Sequence, residues 1–332
     1  MKAWLVQDVQ ASPVLVEHPA PEPGPGQALV RVCFAALNFS DILMTQGRYQ
    51  IKPPLPFVPG QEISGLVERA PAGSDFKAGD AVAAKVVWGG LGEYAAVDED
   101  KMIRVPRGLS LAAAAALPVV WTTAWIALHD RAAVRAGETV LVHAGAGGVG
   151  LAAIQLAVNA GAIVVATAGS EDKLRLCRDR GASQALNYRD DRWPSQLLEI
   201  TGNKGADVII DPVGGDVTDA SVKCLAYRGR LCIVGFSSGR VAEIKSNRLL
   251  LKSAAAIGIY WSHERDLELV RRAVGDITRQ LEAGRLVVDL GSRYPMEQLP
   301  LALDDLAARK TVGKSVIEIA NSFNGEHNER GT

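Results

Sequence analysis

The sequence predicts an α/β protein, a β-rich lobe followed by a doubly wound parallel sheet. Three observations predict it. Residues 1–110 hold short apolar alternations, such as Ala28 to Cys33 and Ile63 to Val67, cut by Pro and Gly. From Glu138 onward, β-branched runs alternate with helical patterns, which calls for right-handed crossovers and a parallel sheet. Between the first such run and the first such helix stands Gly145-Ala146-Gly147-Gly148-Val149-Gly150.

In the first lobe, Pro19 to Gly26, Pro53 to Gly60 and Gly89 to Gly92 separate the strand patterns. Ser110 is placed to cap an Ala-rich helix, and a second helix over about Thr122 to Arg131 leads out of the lobe. Thr139 to His143 reads as a buried strand and Val149 to about Gly161 as a helix. Ile163 to Thr167 is the second strand, and Glu171 to Arg180 is a helix closed by Gly181. Asp207 to Asp211, Leu231 to Gly235 and Ala255 to Ile259 are further strands. Leu267, Val270, Val274, Ile277 and Leu281 share one face of a long helix that Gly284 stops. A helix over Glu297 to Arg309 and a strand from Lys314 follow, and the polar stretch 321–332 reads as a frayed tail.

Composition excludes several classes of function. The 332 residues carry a formal net charge of -1, with acids and bases interspersed, so there is no footprint for nucleic acid or an anionic membrane. No run of about 18 apolar residues is present. The start of the chain lacks the apolar length of a signal peptide. Cys33, Cys177, Cys224 and Cys232 form no CxxC pair and lie in apolar surroundings, as buried free thiols do. A cytoplasmic protein is expected.

The glycine turn carries the chemistry. G-x-G-x-x-G is weak alone, but directly after a strand and at the mouth of a helix it is the dinucleotide signature of a Rossmann sheet. The helix N-terminus offers N–H groups and a partial positive charge to a pyrophosphate. An acid some 20 residues on would select NAD. That place holds Ala168-Gly169-Ser170, followed by Lys173, Tyr188 and Arg189, which suit a 2′-phosphate. NADP(H) is therefore the expected cofactor, although Lys173 also fits a solvated helix position. Asp211, Val213 and Gly214 at one strand end, and Gly235, Phe236 and Ser237 at the next, should face the crevice where ligands bind such sheets.

In combination, Asn38-Phe-Ser-Asp41, Gly47-Arg-Tyr49, Pro59-Gly-Gln-Glu62-Ile-Ser-Gly65, Lys77-Ala-Gly-Asp80, Ala144 to Gly150, Gly169 to Lys173, Asn187-Tyr188 and Asp211 to Gly215 give a specific resemblance. Over about residues 1–320 the chain resembles the zinc-independent quinone oxidoreductase branch of the medium-chain dehydrogenase/reductase superfamily. The resemblance implies a GroES-like catalytic domain over 1–122, completed by 263–320, with a Rossmann coenzyme domain over 123–262 inserted. It also implies homodimers joined through the coenzyme domains. Zinc relatives carry a His where this chain has Gln61, and the five scattered His and four Cys residues do not assemble a tetrahedral site, so no metal is expected.

By the same resemblance, Asn38 and Asp41 lie on the active-site turn. Asn38 orients a substrate carbonyl or the nicotinamide ribose, or simply makes an Asx turn. Asp41 also fits a helix cap. Tyr49 matches a proton donor of 2-enoyl-thioester reductases, or is an aromatic lining the pocket. Leu43 stands where quinone-reducing relatives often carry Tyr. Thr123, Tyr260 and Lys314 are the remaining implied cofactor contacts. Without a metal, catalysis rests on positioning and hydrogen bonds, which suits an acceptor that takes hydride readily. The expected activity is NADPH-dependent reduction of a quinone or activated enone. The alternatives are an enoyl-thioester reductase and an NADPH-binding protein without turnover.

Overall fold

The computed structural model describes residues 1–320; the 321–332 tail lies outside the described residues. The chain divides into two compact units, Met1–Pro118 with the segment from Leu290 onward, and Val119–Asp289. The boundaries differ from those expected at 122 and 262. The long helix His263–Glu282 groups with the second unit, because its apolar stripe packs there: Val270, Leu269 and Val274 cluster with Ile126 and Trp261.

In chain order the elements of the first segment are β1 (Lys2–Leu5), β2 (Val14–Glu17), β3 (Gln27–Ala36), α1 (Phe39–Thr45), β4 (Glu62–Arg69), β5 (Ala81–Lys85), β6 (Tyr94–Asp98), β7 (Met102–Arg104) and α2 (Leu111–Ala114). Those of the second unit are α3 (Val120–Trp125), β8 (Thr139–Val142), α4 (Gly148–Asn159), β9 (Ile163–Ala168), α5 (Glu171–Asp179), β10 (Gln184–Asn187), α6 (Trp193–Ile200), β11 (Ala206–Asp211), α7 (Gly215–Lys223), β12 (Leu225–Ile233), α8 (Ser246–Lys252), β13 (Ala255–Gly258) and α9 (His263–Glu282). The chain returns to the first unit with β14 (Leu290–Pro295), α10 (Leu299–Ala307) and β15 (Lys314–Glu318).

The first unit is built on β3, which pairs antiparallel with β4, β6 and β15 within one seven-stranded sheet. Alternation fixes the register: Ala28, Val30 and Val32 turn into the core with Ile63, Val82 and Val97. Ser110 caps α2 as expected, its hydroxyl accepting from the Ala113 N–H at 3.3 Å.

The second unit is a six-stranded parallel sheet in the order β10-β9-β8-β11-β12-β13. In unit numbering that is 3-2-1-4-5-6, the doubly wound order of a dinucleotide fold. Its central strands β8, β9 and β11 are buried on both faces, with Val140, Leu141, Val142, Val165, Ile209 and Ile210 essentially inaccessible. The short strand β10 is not evident in the sequence, since Gln184-Ala-Leu-Asn187 has no β-branched residue; pairing with β9 makes it a strand. The helix expected over 122–131 is α3 continued by a π-helical turn, Ile126–Arg131. The four cysteines are free and buried. Burial pushes the Cys177 and Cys232 thiols up to about 12, so they stay protonated. No helix among the described residues is long and apolar enough to cross a membrane.

Candidate functional site

The glycine turn leaves β8 at the switch point of the sheet, where neighbouring strands β8 and β11 carry the chain to opposite sides. Two glycines are demanded by contact. A Cβ on Gly150 would stand 2.3 Å from the Ala144 carbonyl oxygen, and one on Gly145 2.8 Å from Cys177 Sγ. These close approaches set α4 tightly on the turn. Gly147 is the N-cap of α4 and no side chain caps the helix. The opening N–H groups of a 12-residue helix therefore face outward, the arrangement that receives a pyrophosphate.

The end of β9 supplies the second part. Tyr188 lies over Gly169, where a Cβ would meet its hydroxyl at 2.5 Å. Ser170 is the N-cap of α5, its side chain making no capping bond. Lys173 stands on the first turns of that helix. Partial burial, with the Arg189 charge beside it, holds its ammonium below the usual lysine range. Two cations and two hydroxyls gathered at one strand end fit a phosphate monoester, whose charge would relieve the repulsion between Lys173 and Arg189.

The turn after β11 is organised by Asp211. Its buried carboxylate accepts from the Val213 N–H at 2.8 Å and the Gly214 N–H at 3.1 Å, and from the Thr218 hydroxyl. The Asp211 carboxylate is thus engaged by the turn itself. The segment Gly235 to Ser238 folds onto this turn, Ser237 N–H donating to Pro212 and Ser238 N–H to Val213. Phe236 packs against Gly214, whose φ of +78° and missing Cβ the contact requires. The expected set 213–214 and 235–237 is therefore brought together. Thr123 is buried and accepts from Trp261 Nε1 at 3.0 Å, while Tyr260 is exposed.

His143, at the end of β8, was not singled out by the sequence. It is buried, with Nδ1 2.9 Å from Thr167 Oγ1 and Nε2 2.8 Å from Ser221 Oγ. Ser221 donates its own proton to the Val217 carbonyl, so it accepts from Nε2–H, and Thr167 donates to Nδ1. Burial lowers the imidazole to about 4, against an opposing pull from Asp211, and His143 is neutral at pH 7.

The first unit holds a charged cluster. Asn38, the N-cap of α1, donates Nδ2–H to Glu62 Oε2 at 2.9 Å, while its Oδ1 accepts from Lys314 Nζ. Lys314 and Glu62 pair at 2.8 Å, both essentially buried. Asp41 accepts from the Asn38 backbone N–H at 2.7 Å, and its other oxygen is buried with no hydrogen-bond partner. Burial pushes the Asp41 carboxyl up to about 7, with Glu62 adding to the rise and Asn38 and Lys314 opposing it.

One expected contact has other partners here. Lys314, implied as a cofactor contact, lies inside the first unit with its ammonium on Glu62 and Asn38. Glu62 belongs to the motif Pro59 to Gly65, and its signal in the sequence is an acid opening the strand pattern Ile63 to Val67. Tyr49 is half-buried against Val6, Met44 and Phe57. Beside the cluster, Gln61 Oε1 accepts from the Ser40 hydroxyl. An amide and an ammonium-paired carboxylate do not make a zinc donor set, and no three His, Cys, Asp or Glu side chains gather among the described residues.

The family described as "Alcohol dehydrogenase GroES-like domain" matches residues 24–107, and "Zinc-binding dehydrogenase" matches 148–274. Over 312 residues the chain is 38% identical to "Quinone oxidoreductase-like protein 2" of Rattus norvegicus, covering 92% of this chain and 89% of that protein. The chain belongs to the zinc-independent quinone oxidoreductase branch of the medium-chain dehydrogenases/reductases. Among solved members of that branch, the quinone oxidoreductase of Thermus thermophilus, described with its NADPH complex, superposes with a TM-score of 0.86 at 35% identity, covering 96% of this chain and 100% of that one. The chain is also 33% identical over 319 residues to the phthioceranic/hydroxyphthioceranic acid synthase of Mycobacterium tuberculosis, covering 94% of this chain and 15% of the synthase.

Proposed function

We propose that this oxidoreductase uses NADPH to reduce a quinone or activated enone. The gathering of Lys173, Arg189, Ser170 and Tyr188 at the end of β9 is the observation that carries the cofactor choice. NADPH, when bound, supplies the hydride. The turn 145–150 and the α4 N-terminus hold the pyrophosphate, and the cations of α5 and Arg189 hold the 2′-phosphate. Thr123 and the segments 213–214 and 235–237, with Tyr260, shape the remaining cofactor surface. In the first unit, Asn38 gives one Nδ2–H to Glu62 and its second to the acceptor carbonyl, and Asp41 braces the backbone of Asn38.

Enoyl-thioester reduction is the second reading, favoured by the likeness to the mycobacterial acid synthase, with Tyr49 as proton donor. Half-buried Leu43 leaves the pocket without the Tyr that quinone reducers often carry. NADPH oxidation followed with benzoquinone, naphthoquinone, a 2-enone and crotonyl-CoA separates these readings. Turnover of quinones or the enone supports the first, turnover of crotonyl-CoA alone supports the second, and none with any would favour a binding protein.

We also infer a homodimer formed through the second unit, in a reducing cytoplasm that keeps the buried thiols free. β13 is an edge strand with exposed Ala255, Ala256 and Gly258, and Leu250 and Leu251 on α8 are more than three-quarters exposed. Leu250→Glu with Leu251→Glu should convert a dimer to a monomer in sedimentation. A wild-type monomer would refute the assembly.

A further inference from the structure

Asn38 is held at both ends by opposite charges. Its carbonyl oxygen faces the Lys314 ammonium and its amide nitrogen faces the Glu62 carboxylate, with Lys314 and Glu62 paired to each other. Asn38, Glu62 and Lys314 are 8%, 0% and 4% exposed. Turning the amide over would set N–H against ammonium and C=O against carboxylate, and in so dry a place both contacts repel strongly. An ordinary Asn amide exchanges its two ends at little cost; this one has a single orientation. Its backbone is fixed as well, through the Asn38 N–H to Asp41 and the Leu37 N–H to the Ser315 carbonyl next to Lys314.

Burying an ammonium and a carboxylate together is costly, and a pair of apolar side chains would fill the space at less cost. Here the pair fixes which end of one neutral amide presents a donor. We propose that Lys314 and Glu62 are positioning residues for acceptor reduction: they lock the Asn38 amide in the orientation that donates to the acceptor carbonyl. This rests on the role given to Asn38 above. It also removes Lys314 from the cofactor contacts and gives it an effect on hydride transfer through Asn38 alone.

A double-mutant cycle tests it, with kcat and KM for a 2-enone or quinone that the enzyme turns over, and NADPH affinity from quenching of tryptophan fluorescence. Asn38→Ala should lower kcat by about 10²-fold, the scale of losing one preorganised donor. Lys314→Met should lower kcat by about 10-fold or more with NADPH affinity unchanged, and Lys314→Arg should recover part of the loss. On the Asn38→Ala background, Lys314→Met should cost less than about 2-fold further, because its effect runs through an amide no longer there.

Multiplying losses would overturn the positioning role and leave the role of Asn38 intact. Weakened NADPH binding in Lys314→Met would return that residue to the cofactor. Unchanged kcat in Asn38→Ala would overturn the functional reading beneath both. If Lys314→Met does not fold, Glu62→Gln, which keeps the side-chain volume, enters the same cycle with the same expected non-additivity, and multiplying losses there overturn the proposal.

Discussion

The polar hearts of the two units are built on opposite plans. In the second unit His143, Thr167 and Ser221 form a neutral chain whose donors and acceptors match one for one. In the first unit Asp41, Glu62 and Lys314 surround Asn38 with charge, and one oxygen of Asp41 finds no partner. The neutral chain underlies the turn that begins the dinucleotide cradle, where rigidity is enough. The charged cluster leaves one buried carboxyl oxygen of Asp41 without a hydrogen-bond partner, a kind of exception that calls for a functional explanation. On the proposed reading the difference follows the division of labour: recognition on the neutral scaffold, acceptor handling on the charged one.

The largest expected effect breaks the scaffold side alone. Gly150→Val places side-chain carbon against the Ala144 carbonyl and Gly145, so the turn cannot close on α4. NADPH affinity should fall by more than about 100-fold, since the phosphate contacts depend on that closure. Fluorescence titration checks it, and retained affinity would show that the turn does not hold the cofactor.

Acid distinguishes the two hearts by sign. Burial raises Asp41 from 3.8 to about 7, so its contribution to stability is complete below about 4 and lost as pH rises through 7. Burial lowers His143 from 6.5 to about 4, so its contribution is complete above 6.5 and lost as pH falls through 4. Between pH 7 and 4 the two oppose each other. Relative to wild type, Asp41→Asn should make the melting temperature fall more steeply on acidification. His143→Gln should make it fall less steeply. Parallel curves for all three proteins would contradict the assignment of both groups.

Much of this was legible in the sequence, for physical reasons. The strand–glycine–helix pattern at 139–160 is local, and its alternating periods point to one fold. Ser170 and Lys173 lie within one helical turn, so an anion site could be read from spacing alone. The cluster of the first unit was only half legible. Asn38 and Asp41 share a turn, but Lys314 meets them across 276 positions, through the pairing of β15 with β3. No spacing rule reaches that far. The bonding of Asp211 was not legible, because no spacing rule says that Val213, Gly214 and Thr218 take up its oxygens. His143 was overlooked because a lone His at a strand end is unremarkable until Thr167 and Ser221 are brought to its two nitrogens.

The division between recognition and acceptor handling is tested most directly by a crossed measurement on Lys173→Met and Asn38→Ala. For each, NADPH and NADH affinities are taken from fluorescence quenching, and kcat from acceptor reduction at saturating NADPH. The account predicts that Lys173→Met loses about 10-fold or more of the preference for NADPH over NADH, with kcat little changed, as expected for one charged contact to a phosphate. It predicts that Asn38→Ala loses about 10²-fold in kcat with both affinities intact. Loss of NADPH affinity in Asn38→Ala, or an unaltered NADPH preference in Lys173→Met, would contradict it.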